Sequence, residues 1–376
     1  MTLNPHRILI VLHGSIGDVT RALPLANLVR RAYPKANIAW AVEPPAFPLV
    51  EHHPAVDEVI LFDRSHWWRT LGPFLRRIRS AGFDLVLDLQ RHLKSGFISW
   101  WSGAPFRLGF HRHDAKELNW LFNNNYIPAT GDGFSKLAHY LKFAEFLGIE
   151  PRPVEWGLRL TSEEEDNVEK MLEGVRRPFA VFFVGSSWES KQWFPLQTAK
   201  SAAAIHERCG LDIVLLGGHE DIAFAREIES LGLLPMRNCV GRTSLREAVG
   251  ILARAEVAVG PDTGLMHLSA AVGTAVVSLW GATSPVRTGP FGYDDLVIQG
   301  KAECSPCYLR RCPIGRICMQ SIDIRSRGEG RESIVSEGQG PLCWRLNTDS
   351  AARVNGTCGF IPGGGMRGRG RRSCVG

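Results

Sequence analysis

The chain has 376 residues, of which 44% are hydrophobic and 22% are charged. This composition is typical of a globular protein, and the length suffices for two domains. The net charge of +6 comes mostly from residues 325–376, which contain nine Arg, no Lys and four acidic residues. The remainder is nearly neutral, which argues against a nucleic-acid-binding protein. No apolar run approaches the ~20 residues that cross a bilayer, and no signal-peptide core is visible, so we expect a cytoplasmic protein.

Strands and helices alternate along the first part of the chain. Short apolar runs at residues 7–12, 37–42, 58–62 and 84–89 predict buried strands. Helical periodicity at 19–33, 47–52, 67–80 and 134–147, and around Phe97, predicts helices in the same part of the chain. This alternation predicts a parallel, doubly wound sheet. Residues 148–153 break the pattern, so the first domain is predicted to span residues 1–150.

The alternation then restarts. Strands are predicted at residues 179–184, 212–216, 256–259 and 275–279, with helices at 195–208, 219–231 and 244–255. A second doubly wound domain is therefore predicted over residues 151–324, with a ligand cleft between the carboxyl ends of the two sheets. Residues 325–376 lose this periodicity and are rich in Gly and Arg. We expect a disordered tail, which is either a genuine arm or the product of a reading-frame change.

One strand-helix-strand unit, residues 257–279, organises the second domain. Its first strand ends at a Gly-Pro pair, and Asp262, Thr263 and Gly264 follow at the start of a helix. The free N–H groups and positive end of such a helix favour a phosphate ligand. A simple helix cap formed by Asp262 and Thr263 is the alternative. His267, one turn into an otherwise apolar helix, favours the binding site.

This unit also resembles a known family. Pro-Asp-Thr-Gly-Leu-Met-His-Leu-Ser-Ala-Ala, followed by Leu-Trp-Gly-Ala-Thr-Ser-Pro, is similar to the signature of the lipopolysaccharide heptosyltransferases, glycosyltransferase family 9. The resemblance covers roughly residues 7–324. It implies an α/β enzyme with two Rossmann-like doubly wound domains facing a cleft, the GT-B architecture. It also implies inverting transfer of heptose from ADP-heptose to the inner core of lipopolysaccharide, composed of Kdo and heptose.

The first glycine loop contains the candidate base, Asp18. A helix N-cap is one interpretation of this residue. A dinucleotide site is another, because Glu43 ends the second strand where a ribose-binding acid would lie, but G-x-G-x-x-G is absent. Gly-Ser-Ile-Gly-Asp-Val-Thr-Arg-Ala-Leu-Pro is similar to the family's N-terminal motif, whose Asp is the general base. The resemblance therefore makes Asp18 catalytic and assigns Gly14, Ser15 and Gly17 to the acceptor.

Basic residues beyond the fourth strand predict an acceptor wall. These cations suit carboxylates and phosphates, although a solvated charged face is the alternative for each one. The resemblance implies an anionic, Kdo-bearing lipid A acceptor. The expected wall consists of Arg91, Lys94, Arg107, Arg112 and Lys116.

Four tryptophans are expected to pack in the core or at its rim rather than to bind sugar. They form two pairs, Trp67-Trp68 and Trp100-Trp101.

The donor site is assigned to strand-to-helix turns of the second domain. Lys-x-Trp-x-Pro, which begins at Lys191, matches the family's donor site, so Lys191 is expected to neutralise the leaving diphosphate. Glu220 is expected to accept hydrogen bonds from the ribose hydroxyls, and Thr243 is expected to border the adenine pocket. Ser244 either borders the same pocket or serves only as a helix cap. The full donor set is Ser186, Ser187, Lys191, Glu220, Thr243, Asp262, Thr263, Gly264 and His267.

Four cysteines form a C-x2-C-x4-C-x5-C pattern. In a reducing compartment such thiols suggest zinc more than disulfides, although the spacing is not that of a standard zinc finger and a structural role is the alternative. The cysteines are Cys304, Cys307, Cys312 and Cys318.

We expect no required cofactor. No D-x-D motif for a divalent metal ion is visible, and Lys191 can instead neutralise the negative charge of the leaving diphosphate. The resemblance implies a monomer associated peripherally with the inner membrane. Two rival functions stay open at this stage: an NAD-type dinucleotide enzyme and a non-catalytic GT-B-like binding protein.

Overall fold

The computed structural model describes residues 3–131 and 133–322. The Gly/Arg-rich segment 325–376, predicted to be a disordered or frame-shifted tail, lies outside the described residues. No helix within the described ranges is long and apolar enough to cross a bilayer.

The first half of the chain forms a six-stranded parallel sheet in the order β3-β2-β1-β4-β5-β6. Its central strands consist mostly of buried apolar residues, as in residues 8–11. The strands are β1 Arg7–Val11, β2 Asn37–Val42, β3 Glu58–Leu61, β4 Leu85–Asp88, β5 Phe106–Gly109 and β6 Asn125–Tyr126. The helices are α1 Ile16–Ala32, α2 Phe47–Val50, α3 Trp67–Ser80, α4 Leu93–Trp101 and α5 Lys136–Phe146.

The second half forms a sheet of the same topology, ordered β12-β11-β10-β7-β8-β9 and again parallel throughout. The strands are β7 Phe179–Phe183, β8 Asp212–Leu216, β9 Arg237–Asn238, β10 Val257–Pro261, β11 Ala275–Trp280 and β12 Val297–Gln299. The helices are α6 Ser162–Met171, α7 Pro195–Cys209, α8 Ile222–Ser230, α9 Leu245–Arg254, α10 Gly264–Ala271, α11 Pro285–Thr288 and α12 Ile317–Gln320. The two sheets confirm the predicted α/β class with two doubly wound units, whereas the boundary near residue 150 stays a prediction.

Chain order reverses between β1 and β4 in one sheet and between β7 and β10 in the other. At such a switch point neighbouring crossovers go to opposite faces, so the loops beyond the strands separate and leave a crevice. Helices α1 and α5 pack on one face of the first sheet, and α3 and α4 cover the other. The two crevices face each other and form one interdomain cleft.

The start of α1 packs directly on the start of α10. A Cβ added to Gly17 would lie 2.6 Å from Cδ2 of His267, and one added to Gly264 would lie 2.8 Å from Cγ2 of Ile16. Only glycine at these two positions allows so close an approach of the helices.

Candidate active site in the interdomain cleft

The cleft has a volume of about 1080 Å³ and is lined by residues of both sheets. The first domain contributes the loops that follow β1 and β4, and the second contributes those that follow β7, β8 and β10. Each of these loops leaves the carboxyl end of a parallel strand, where N–H groups and helix N-termini are exposed. The arrangement favours an anionic ligand.

Asp18 lies in the first turn of α1, but it does not cap the helix. Ser15 is the N-cap, and its hydroxyl accepts a hydrogen bond from the Asp18 N–H at 3.3 Å. The Asp18 carboxylate instead binds Lys136 Nζ at 2.6 Å and Arg21 Nη2 at 2.5 Å, both to Oδ1. The N-cap interpretation of Asp18 is therefore wrong, because a shorter side chain takes that position.

Two cations control the charge of this carboxylate. Burial alone would raise the pKa of Asp18, but the charges of Lys136 and Arg21 outweigh it and lower that pKa well below its usual range. Burial also lowers the pKa of Lys136, against the attraction of Asp18. Asp18 is thus held as a carboxylate, with one oxygen occupied by two cations.

Arg21 joins the two domains, because it also donates through Nη1 to His267 Nε2 at the start of α10. Burial and then the charge of Arg21 lower the pKa of His267 well below its usual value. The imidazole is therefore neutral and accepts the hydrogen bond.

Thr263 occupies the N-cap position of α10, but no side chain makes a capping hydrogen bond there. Asp262 binds Lys191 Nζ at 2.7 Å and the Thr283 hydroxyl at 2.8 Å. The Thr263 hydroxyl is buried and has no hydrogen-bond partner within the described residues. Thr263 therefore holds the N-cap position without a capping bond, and the helix start presents an unsatisfied hydroxyl together with its free N–H groups.

Lys191 is not an ordinary surface lysine, because its side chain is only 14% exposed. Its ammonium lies 4.4 Å from the ring centre of Trp188, on the loop that follows β7. Ser186 donates to the backbone carbonyl of Asp262 at 3.3 Å and so ties this loop to the α10 turn. The structure brings the whole predicted donor set to the cleft: Ser186, Ser187, Lys191, Glu220, Thr243, Asp262, Thr263, Gly264 and His267. Ser244 also lines the cleft, and it caps α9 as one interpretation had it.

Most of the predicted acceptor wall lines the opposite side. Gly14, Ser15, Gly17, Arg91, Lys94 and Lys116 all border the cleft. Lys94 lies 3.4 Å from Glu43, the acid at the end of β2, and the Arg91 side chain donates to the backbone carbonyl of Asp114.

Two predicted members of this wall lie elsewhere. Arg107 donates from Nε to the Phe122 carbonyl at 3.0 Å and from Nη1 to the Ala104 carbonyl at 2.6 Å, so it holds backbone segments together. Arg112 is exposed and does not border the cleft. The sequence analysis missed other charged residues that do border it: Arg21, Arg64, Lys136, Arg287 and Arg310.

The cysteine quartet does not form a metal site in the part of the chain that the structure describes, where no group of three or more His, Cys, Asp or Glu residues is placed to hold an ion. Cys318 is buried, whereas Cys304 is exposed. The Cys312 sulfur accepts from the Arg316 N–H at 3.1 Å. The zinc hypothesis therefore gains no support.

Two Rossmann-like domains that face one cleft, with a carboxylate on one wall and an open helix start on the other, have the arrangement of a glycosyltransferase of the GT-B type. The sequence profile of glycosyltransferase family 9 (heptosyltransferase) matches residues 72–317. The match spans well over half of the chain, and the chain belongs to this family. Membership confirms the prediction of a transferase and argues against the dinucleotide-dependent and non-catalytic alternatives.

Individual relatives agree with this assignment. The chain is 29% identical over 365 residues to lipopolysaccharide heptosyltransferase 1 of Pseudomonas aeruginosa, covering 92% of this chain and 96% of that protein. The structure resembles the Escherichia coli heptosyltransferase WaaC with ADP, at a TM-score of 0.60 and 25% identity, over 74% of this chain and 88% of that one. It also shares its fold with the family 9 glycosyltransferase of Veillonella parvula, at a TM-score of 0.69 and 22% identity, over 79% of this chain and 86% of that one.

Proposed function

We propose that the chain transfers heptose from ADP-heptose to the inner core of lipopolysaccharide, with inversion at the anomeric carbon. One observation carries the proposal: Asp18 and the open start of α10 face a common cleft from different domains. A base on one wall and an anion site on the other are what direct displacement of a diphosphate requires. A relative named lipopolysaccharide heptosyltransferase and a similar structure described with ADP support the choice of donor and acceptor.

The diphosphate of the donor binds at the start of α10. The N–H groups there and the unpartnered Thr263 hydroxyl supply donors for its oxygens, and Lys191 supplies a nearby positive charge. Ser186 and Ser187 lie on the facing loop, while Glu220 and Thr243 border the part of the cleft assigned to ribose and adenine. A lysine and a helix start can stabilise the charge that develops on ADP as it leaves, so the proposal requires no metal ion.

Asp18 is the proposed base. The acceptor hydroxyl attacks the anomeric carbon of the heptose and gives its proton to Asp18, while the bond to the diphosphate oxygen breaks and ADP leaves with the electron pair. Because Lys136 and Arg21 lower the pKa of Asp18, the carboxylate is a weak base before attack. It accepts the proton late, when the hydroxyl has become acidic. Attack opposite the leaving group inverts the configuration.

The acceptor occupies the first-domain side of the cleft. Arg91, Lys94 and Lys116 border this side with the glycine loop at residues 14–17. Their charges suit the carboxylates of Kdo and the phosphates of lipid A, and no residue needs to enter the hydrocarbon of the bilayer to reach them. The proposal includes a monomer that acts in the cytoplasm at the surface of the inner membrane.

Mass spectrometry of lipopolysaccharide from a strain that lacks this chain tests the proposal. We expect the core to end before the missing heptose, and a plasmid copy of the chain should restore it. A core of unchanged mass would contradict the assigned acceptor. Binding of NAD more tightly than ADP by the purified protein would instead favour a dinucleotide-dependent enzyme.

A further inference from the structure

Four tryptophans lie partly exposed on one side of the first domain, so they do not pack in the core, one of the two positions expected for them. Trp67 and Trp68 at the start of α3 are 55% and 62% exposed, and Trp100 and Trp101 at the end of α4 are 50% and 37% exposed. Large aromatic side chains are usually covered in globular proteins, and an exposed group of them marks an interaction surface.

The two tryptophan pairs lie on α3 and α4, which cover the same side of the first sheet. Phe74 and Ile78 of α3 and Ile98 of α4 join one apolar cluster against that sheet. The indole N–H of Trp101 donates to the carbonyl of Leu75 at 3.0 Å, which ties the two helices together. We call the outward side of α3 and of the end of α4 the α3–α4 face.

The α3–α4 face is strongly basic. Helix α3 contains four arginines and no acidic residue. Arg77 is neutralised by Glu58, but Arg69 and Arg76 are exposed and have no carboxylate partner within the described residues. Exposed indoles interleaved with unpaired guanidinium groups are the combination that proteins present to the headgroup region of an anionic membrane.

The face is continuous with the cleft. Arg64, three positions before Trp67, borders the cleft on the same side as Lys94, the second residue of α4. A lipid-anchored molecule in a membrane against this face would therefore reach the acceptor wall by crossing only the headgroup region. This continuity distinguishes the face from a protein contact remote from the site.

We infer that the α3–α4 face docks the enzyme on anionic phospholipid, with Trp67 and Trp68 among the headgroups and Arg69 and Arg76 paired with lipid phosphates. The inference deepens the proposed function, because it says how a lipid-borne acceptor is delivered to the first-domain wall. It makes membrane binding a property of the folded first domain, with no dependence on donor.

Co-sedimentation with vesicles tests the inference. The purified full chain should bind vesicles of equal parts phosphatidylglycerol and phosphatidylcholine, and not phosphatidylcholine alone. Loss of two basic contacts in Arg69→Gln/Arg76→Gln should weaken partitioning roughly tenfold or more, and high salt should have the same effect. Trp67→Ala/Trp68→Ala should weaken it as well, with less dependence on salt. Lys200→Gln/Arg226→Gln is a matched control, since both residues are exposed cations of the second domain.

The enzyme assay separates this inference from the proposed function. Both face variants should keep wild-type kcat and KM with a water-soluble, deacylated acceptor and lose activity only with acceptor embedded in vesicles. If no form of the chain transferred heptose but vesicle binding were as expected, the proposed function would be overturned. The docking inference would still be supported. Vesicle binding that is absent, or equal in the wild type and both variants, would overturn the docking inference. Self-association lost in the tryptophan variant, without vesicle binding, would show that a second copy covers the face.

Discussion

Lys136 Nζ lies 2.6 Å from Asp18 Oδ1, although the two residues are 118 positions apart in the chain. The contact forms because α5 packs beside α1 on the same face of the first sheet. The lysine occupies one carboxylate oxygen of the proposed base and leaves the other to receive a proton. Lys136 is therefore a positioning residue in the proposed mechanism, since it acts through Asp18.

Removing the proposed base should reduce turnover without affecting the donor site. Asp18→Asn should lower kcat by ~10²–10⁴-fold, the usual contribution of a positioned general base. ADP binding, measured by its effect on Tm, should change little because the donor residues belong to the second domain. Undiminished turnover in this variant would remove Asp18 from the mechanism.

Replacing Lys136 should change the pH profile. The pKa of Asp18 is lowered by Lys136, so the carboxylate stays ionised as the pH falls and loses its function only below its lowered pKa. In Lys136→Met that pKa rises, and the acid limb of kcat/KM should move to higher pH. Lys136→Arg, which keeps the charge, should restore the wild-type limb at least in part. An acid limb that stays in place in Lys136→Met would mean that the lysine has only a structural role.

The donor site should hold ADP without a metal ion. ADP should raise the Tm of the wild-type chain in the presence of EDTA, and Lys191→Ala should weaken ADP binding by roughly tenfold or more, the scale of one charge-assisted hydrogen bond. Lys200→Ala is the control, because Lys200 is exposed on α7, and this variant should bind ADP as the wild type does. If EDTA abolished both ADP binding and turnover, metal-free stabilisation of the leaving group would be wrong.

Close approach of the two domains should depend on glycine at position 17, which has no side chain. In Gly17→Ala the new Cβ would lie 2.6 Å from His267 Cδ2, so either the His267 ring must move or the two helix starts must separate. We expect kcat to fall while ADP affinity is kept, and small-angle scattering should show a more open molecule. Gly72→Ala is the matched control, because a Cβ there meets nothing within 4 Å. Wild-type turnover in Gly17→Ala would show that this contact is not needed for catalysis.

Long apolar runs made most of the fold predictable. The central strands of both sheets match the prediction closely, because burial on both faces gives them continuous apolar segments. Helix α3 also matches, because its buried residues Phe74 and Ile78 recur at helical spacing. The strands that were missed, β5, β6, β9 and β12, have only two to four residues each and are too brief to show a pattern. Of these, β6, β9 and β12 are edge strands, and β5 lies between β4 and β6. Helix α6 was missed because its ten residues are largely acidic and only Val168 is buried.

Local motifs indicated which residues of the second domain line the cleft, but not how they pair. Lys191 and Asp262 were both assigned to the donor site, yet their 2.7 Å contact joins loops from different strands. Lys136 and Arg21 were missed because a lysine or arginine on an amphipathic helix looks like any surface cation until packing brings it to the carboxylate. Arg107 was wrongly assigned to the acceptor wall. The sequence shows only a basic residue after β4, and does not show that its guanidinium donates to the carbonyls of Phe122 and Ala104.

Transfer with purified components tests the central claim most directly. The wild-type chain and its Asp18→Asn variant would be incubated with ADP-heptose of known anomeric configuration and a Kdo-bearing lipid A acceptor. Mass spectrometry would follow the acceptor, and NMR would determine the new linkage. We predict that the wild type adds one heptose with inverted configuration, releasing one ADP, and that the variant does so at a small fraction of that rate. Retained configuration, or no transfer to the Kdo-bearing acceptor, would contradict the account.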